Sequence, residues 1–183
     1  SLILPAIPPG TALQLSNGTT VRYAQLFKCE QVLRSDCNRG VSGIEGSTST
    51  AAGAACVGEE MTVLITGDMS FSYDVNGLSS TYLSPRFKII VMCNGGGGIF
   101  RFIKPTSDLP ELETCFEIHR DISVEKYADL FGLRYFELND EKSAAEVLSL
   151  FFAEKDRPAI LAVHTPNVYN AEVLRGYFRR SRQ

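Results

Sequence analysis

The chain has 183 residues, 44% of them hydrophobic, with 18 Lys+Arg against 21 Asp+Glu and a formal charge of −3. That balance excludes a disordered chain and suits one domain with a substantial core. The acidic pI near 5.5 lacks the basic footprint of a nucleic-acid binder, and no run approaches the ~18 apolar residues of a membrane span.

The five Cys, at 29, 37, 56, 93 and 115, include no CxxC pair, and neither His119 nor His164 lies at metal-ligand spacing from a Cys. This usage fits a reducing, cytoplasmic setting rather than a disulfide framework. The apolar start SLILPAIPPG has no basic n-region and the chain has no initiator Met, so it reads as a piece of a longer protein. Pro5, Pro8, Pro9 and Gly10 mark residues 1–15 as a linker or docking arm, with one domain over 16–183.

In chain order, Val21 to Phe27 is expected to be a short helix with Asn17 as its capping residue. Val32 to Cys37 reads as a strand, ending in the polar turn SDCNRG. The small-residue run 46–57 predicts a tightly packed helix capped by Ser47 or Thr48. Met61 to Thr66 and Phe87 to Cys93 are continuous apolar runs, the pattern of strands buried on both faces. A crossover helix is expected between them, over 76–83. The alternation then repeats: helix 124–131, strand 134–138, helix 141–153, strand 159–164 and helix 171–180. Strands alternating with helices predict an α/β domain, a doubly wound and mostly parallel sheet in three layers. Arg175, Arg179, Arg180 and Arg182 read as a solvated helix end complementing the macrodipole.

Ligands of such sheets bind beyond the carboxyl ends of the strands. Two of those ends are unusual: Gly67-Asp68-Met69-Ser70, and Asn94 followed by four glycines. A carboxylate, an amide oxygen and closely approaching main-chain groups form an oxygen-rich set suited to Mg²⁺ together with a phosphate. One strand–helix–strand unit separates the two segments and returns them side by side.

This pair resembles the thiamine-diphosphate motif, which opens with Gly-Asp-Gly and closes on Asn; Met69 stands here in place of the third Gly. With NGTTVR (17–22), NRGVSGIEG (38–46), STAAG (49–53), GDMSFSYDVNGL (67–78) and NGGGGIF (94–100), the chain resembles the C-terminal domain of the 2-succinyl-5-enolpyruvyl-6-hydroxy-3-cyclohexene-1-carboxylate synthases of menaquinone biosynthesis. The resemblance implies a thiamine-diphosphate-binding fold and the diphosphate-binding half of an enzyme. That enzyme decarboxylates 2-oxoglutarate and adds the succinyl carbanion to isochorismate.

The resemblance further implies metal ligation of Mg²⁺ or Mn²⁺ by Asp68, Asn94 and the carbonyl of Gly96. Cofactor contacts would come from Asn17, Met69, Ser70, Ile99 and Phe100, and substrate carboxylates would be met by Arg22 and Arg39, whose guanidinium forks suit them. Cys93 and Gly18 stand where the family usually carries Asn and Ser. The activating Glu belongs to a separate N-terminal pyrimidine-binding domain contributed by a second subunit. The full-length enzyme is therefore expected to be a homodimer or homotetramer, and the isolated piece inactive. Two other readings remain at this point: the diphosphate-binding half of an acetolactate synthase or 2-oxo-acid decarboxylase, and a non-catalytic phosphate-binding α/β module. The two histidines are read as structural.

Overall fold

A computed structural model describes residues 2–120, 122–165 and 167–180. Six strands form one sheet: β1 (Ala12–Leu15), β2 (Arg34–Cys37), β3 (Thr62–Gly67), β4 (Phe87–Cys93), β5 (Arg134–Leu138) and β6 (Ala159–His164). Every pairing is parallel and the spatial order is β2-β1-β3-β4-β6-β5. The chain moves outward from β1 to β2 and returns to place β3 on the other side of β1. The switch point of the sheet therefore lies between β1 and β3.

Alternate strand residues divide between two cores, which is why the strands read as continuous apolar runs. Val63, Ile65, Ile90, Leu161 and Val163 face one layer, which holds α1 (Ile3–Ala6), α2 (Thr19–Ala24) and α6 (Ala144–Ala153). Leu64, Ile89, Val91, Ile160 and Ala162 face the other, with α3 (Ser47–Val57), α4 (Asp68–Tyr73) and α5 (Val124–Phe131). The three-layer α/β expectation holds. Lys88 interrupts the apolar run of β4 and is fully buried, but its Nζ reaches the carbonyls of Pro85 at 2.9 Å and Glu154 at 2.7 Å. Burial lowers its pKa.

Several local expectations are corrected. Residues 1–15 are not all arm: Ile3–Ala6 is a helical turn and Ala12–Leu15 is a fully buried strand. Asn17 does not cap α2, because Gly18 holds the cap position without a side-chain bond. Likewise Gly46, in the left-handed conformation, precedes α3, and Ser47 and Thr48 are buried inside its first turn. The crossover helix starts earlier than expected, as α4 at Asp68 followed by a 3-10 segment Val75–Ser79. The last helix, α7, spans Asn167–Arg180. Of its arginines, Arg175 is not simply solvated, since its Nη2 donates to the carbonyl of Arg101 at 2.6 Å. Arg182 and the Arg180 side chain lie outside the described residues.

Candidate functional site

The carboxyl ends of β1, β3 and β4 converge on a cleft of about 490 Å³. Register sets this up: Gly67 at the end of β3 pairs with Met92, so Asp68 and Asn94 leave the sheet beside each other. Asn17, Asp68, Met69, Ser70, Asn94, Gly96, Ile99 and Phe100 all line the cleft.

Asp68 is only 3% exposed, and main-chain donors hold its carboxylate. Oδ1 accepts from Met69 N at 2.7 Å, and Oδ2 from Asn94 N at 3.0 Å and Gly95 N at 2.7 Å. Burial pushes its pKa up, and the amides of Gly95, Met69, Asn94 and Gly96 pull it back only in part. The Asn94 amide faces this carboxylate and can be turned two ways. With Nδ2 inward it donates to both Asp68 oxygens at 3.2 Å and to Gly96 O at 2.9 Å. With Oδ1 inward, carboxylate, amide and carbonyl oxygens stand at those same separations. The edge of an octahedron with bonds of ~2.1 Å is about 3.0 Å, so that oxygen set matches what a Mg²⁺-sized cation requires. The donor set thus fits a hard divalent cation.

The glycine run has a steric reason. Gly97 N donates to Glu117 O at 2.8 Å and Arg120 N to Gly95 O at 3.3 Å, drawing the backbone of 116–120 against the run. A Cβ on Gly96 would fall on Glu117 O, and one on Gly97 would lie 2.8 Å from Phe116 O. Ile99 and Phe100 follow in a 3-10 turn, with the Phe100 ring 5.5 Å from that of Phe116.

Asn17 is a buried hub. Its Nδ2 donates to Asn38 O at 2.6 Å and Gly43 O at 2.5 Å, and its Oδ1 accepts from Arg39 Nη1 at 2.9 Å. It thereby ties the end of β1 to the 38–46 loop that walls the cleft. The Ser70 hydroxyl is turned to the carbonyl of Ile44 in the same loop. Arg22 and Arg39 are not in the cleft lining; Arg22 Nη1 bonds Gly18 O and Arg39 bonds Asn17, which places both at its rim.

Ser42, Gly43, Ile44 and Phe116 to Ile118 also wall the cleft, without a sequence signal that marks them. The first three lie within the NRGVSGIEG segment, three to five positions beyond Arg39. Phe116 and Glu117 come from a π-helical turn, Leu112–Glu117, that has no periodic signature, and Ile118 caps its end. His119 Nδ1 lies 3.1 Å from Gly95 O and His164 Nε2 3.1 Å from Glu137 Oε1.

Cys93, next to Asn94, has its pKa pushed up to about 12, first by burial and then by the Asp68 charge. At pH 8 that shift keeps the thiol protonated, whereas the thiolate is the form that reacts. Iodoacetamide at that pH should label the exposed Cys56 and Cys115 in the folded protein and leave Cys93 unmodified until denaturant is added. Labelling of Cys93 at the rate of Cys56, read by mass spectrometry, would contradict that raised pKa.

The parallel sheet, the switch-point cleft and the Asp–Asn oxygen set belong to a defined class. Residues 17–163 match the family described as thiamine pyrophosphate enzyme, C-terminal TPP binding domain, and the chain belongs to that family. It is 47% identical over 97% of its length to a 2-succinyl-5-enolpyruvyl-6-hydroxy-3-cyclohexene-1-carboxylate synthase of Porphyromonas gingivalis, covering 31% of that protein. Proteins of the same name from Flavobacterium johnsoniae and Bacteroides fragilis are 41% and 35% identical, each over 97% of this chain and 32% of their own length. The chain thus spans about a third of these curated relatives. Among the described residues, no helix is long and apolar enough to cross a membrane.

Proposed function

We propose that this chain is the diphosphate- and cation-binding domain of a cytoplasmic synthase that decarboxylates 2-oxoglutarate and joins the succinyl unit to isochorismate. The observation that carries the reading is the convergence of Asp68, Asn94 and Gly96 O at the ends of β3 and β4, in a chain whose relatives carry that synthase name.

Asp68, Asn94 Oδ1 and Gly96 O would hold Mg²⁺ or Mn²⁺, leaving positions for diphosphate oxygens and water. Met69 and Ser70, in the first turn of α4, would lie against the diphosphate. Ile99 and Phe100 would supply an apolar wall that excludes water from the reacting centre. Asn17 would hold the 38–46 loop in place beside the cofactor. Arg22 and Arg39 at the rim would take the carboxylates of the two dicarboxylic substrates and orient them. Thiamine diphosphate, when bound, supplies the electron sink that decarboxylation of a 2-oxo acid requires.

The partner in this reading is the pyrimidine-binding domain of a second subunit, bringing the activating Glu. An apolar cleft of about 350 Å³, lined by Leu4, Leu15, Tyr23 and Phe27, adjoins the Asp68–Asn94 cleft and shares Thr19, Thr20, Met92 and Asn94 with it. That supports a docked domain reaching the cofactor from this side, and a homodimer or homotetramer for the full-length protein.

The full-length protein should turn over 2-oxoglutarate beyond one equivalent per site at an appreciable rate only when isochorismate, thiamine diphosphate and Mg²⁺ are all present. Calorimetric titration should show thiamine diphosphate binding that needs Mg²⁺, with no matching heat from ATP or NAD. Turnover of pyruvate instead would move the assignment to an acetolactate synthase or 2-oxo-acid decarboxylase. Binding of ATP or NAD without thiamine diphosphate would end it.

A further inference from the structure

Gly96 O and Gly97 N belong to one planar trans peptide, so the carbonyl and the N–H point in opposite directions. Gly97 N is fixed on Glu117 O at 2.8 Å. The same bond therefore aims Gly96 O the other way, to within 2.9 Å of the Asn94 amide. Gly97 itself, at φ −72° and ψ 59°, forms an inverse γ-turn in which Gly98 N donates to Gly96 O at 2.8 Å. One lone pair of Gly96 O is used there, and the other is left for the Asp68–Asn94 cluster.

The side chain of Glu117 anchors the same segment, and His119 Nε2 lies 3.5 Å from its Oε2. The carboxylate is fully buried and clasped by both arms of Arg101: Nε reaches Oε1 at 2.7 Å and Nη2 reaches Oε2. Arg101 closes the 3-10 turn that leaves the glycine run, so 97–101 and 117 form a closed ring of backbone and ion pair. The ring is braced from outside: Arg101 Nη2 also meets Glu113 Oε1 at 3.0 Å, and Arg101 O accepts from Arg175 of α7 at 2.6 Å.

We infer that Glu117, clasped by Arg101, is a positioning residue that orients the Gly96 carbonyl for divalent-cation binding, without touching the cation itself. This rests on the cation site proposed above. Neither residue would bind metal or cofactor; each would act through the Gly96–Gly97 peptide.

The test uses the full-length protein and Mn²⁺, titrated by electron paramagnetic resonance in saturating thiamine diphosphate. Glu117→Gln should raise the Mn²⁺ dissociation constant about tenfold or more, as loss of a supporting contact around a metal site does. Arg101→Lys keeps the charge but loses the fork and should raise it by a smaller factor. Excess Mn²⁺ should restore both the bound signal and turnover, a rescue that a shortage of folded protein cannot give. The double variant R101Q/E117Q should be no worse than Glu117→Gln alone. Both single variants folded and within twofold of wild type would overturn the inference, and if Glu117→Gln does not fold, Arg101→Lys decides alone. Asp68→Asn separates this from the underlying reading. If it too retains Mn²⁺, the cation site itself is wrong; if only it loses Mn²⁺, the positioning role falls and the site stands.

Discussion

Replacing Asp68 with Asn should remove metal-dependent thiamine diphosphate binding from the full-length protein and leave it folded. The substitution keeps the side-chain shape, and one amide oxygen can still accept from Asn94 N and Gly95 N, as Oδ2 does now. The new NH₂ then faces Met69 N, which loses its acceptor, a cost of about 1–3 kcal/mol for an unsatisfied buried donor. Against that stands the removal of a buried charge whose desolvation already raises its pKa. The two effects oppose each other, so the ligand-free melting temperature should move little.

The ligand-linked part behaves differently. A ligand at 100 times its Kd stabilises the folded state by about 2.7 kcal/mol. That increment should vanish in the variant, together with at least ~100-fold in affinity, equivalent to roughly 2.7 kcal/mol. Thermal melts with and without Mg²⁺ and thiamine diphosphate read both quantities. A thermal shift of undiminished size in Asp68→Asn would refute the oxygen set as the cation's seat. Asp68→Ala is the less informative variant, because three main-chain donors would lose their partner at once.

The layered fold was legible because β3, β4 and β6 are buried on both faces and α3 to α6 alternate with them, so hydropathy and turn residues agree. What escaped has definite causes. The strand Ala12–Leu15 is four residues long and comes one residue after Pro8, Pro9 and Gly10, so its composition reads as an arm; its place between β2 and β3 buries it. Asn17 has the look of a helix cap, but the 38–46 loop offers it two carbonyls and an arginine, and those long-range bonds override the local one.

The same split runs through the site. Asp68, Asn94 and the glycines could be picked out because each stands at the end of an apolar run, where topology alone brings them together. Arg101 and Glu117 could not, since an Arg–Glu pair sixteen positions apart in irregular chain has no spacing rule. Its meaning appears only when the π-helical turn folds back on the glycine run.

That fold-back makes Gly96→Ala a severely damaging substitution. Gly96 has φ +149°, a conformation that L side chains rarely adopt, and its new Cβ would land on the backbone oxygen of Glu117 rather than on a movable side-chain tip. Relief requires the 95–97 and 117–120 segments to part. That would sacrifice the bonds from Gly97 N to Glu117 O and from Arg120 N to Gly95 O. Backbone strain of about 1–3 kcal/mol and two lost hydrogen bonds at roughly 1 kcal/mol each give a local cost of some 3–5 kcal/mol. The sheet is not involved, so the loop should open while the core persists. Hydrogen exchange at Gly97 and Arg120 should accelerate, and cofactor binding should fall below detection.

Two controls isolate the cause. Gly95→Ala also sits at positive φ, but its Cβ would meet only the His119 ring at 3.6 Å, so it carries strain without a backbone collision. Gly132→Ala, at φ +68° in open space beyond α5, should lower stability by about 1–2 kcal/mol and leave binding intact. If Gly96→Ala binds thiamine diphosphate as well as Gly132→Ala does, the close approach of the glycine run to Glu117 is not what shapes the site.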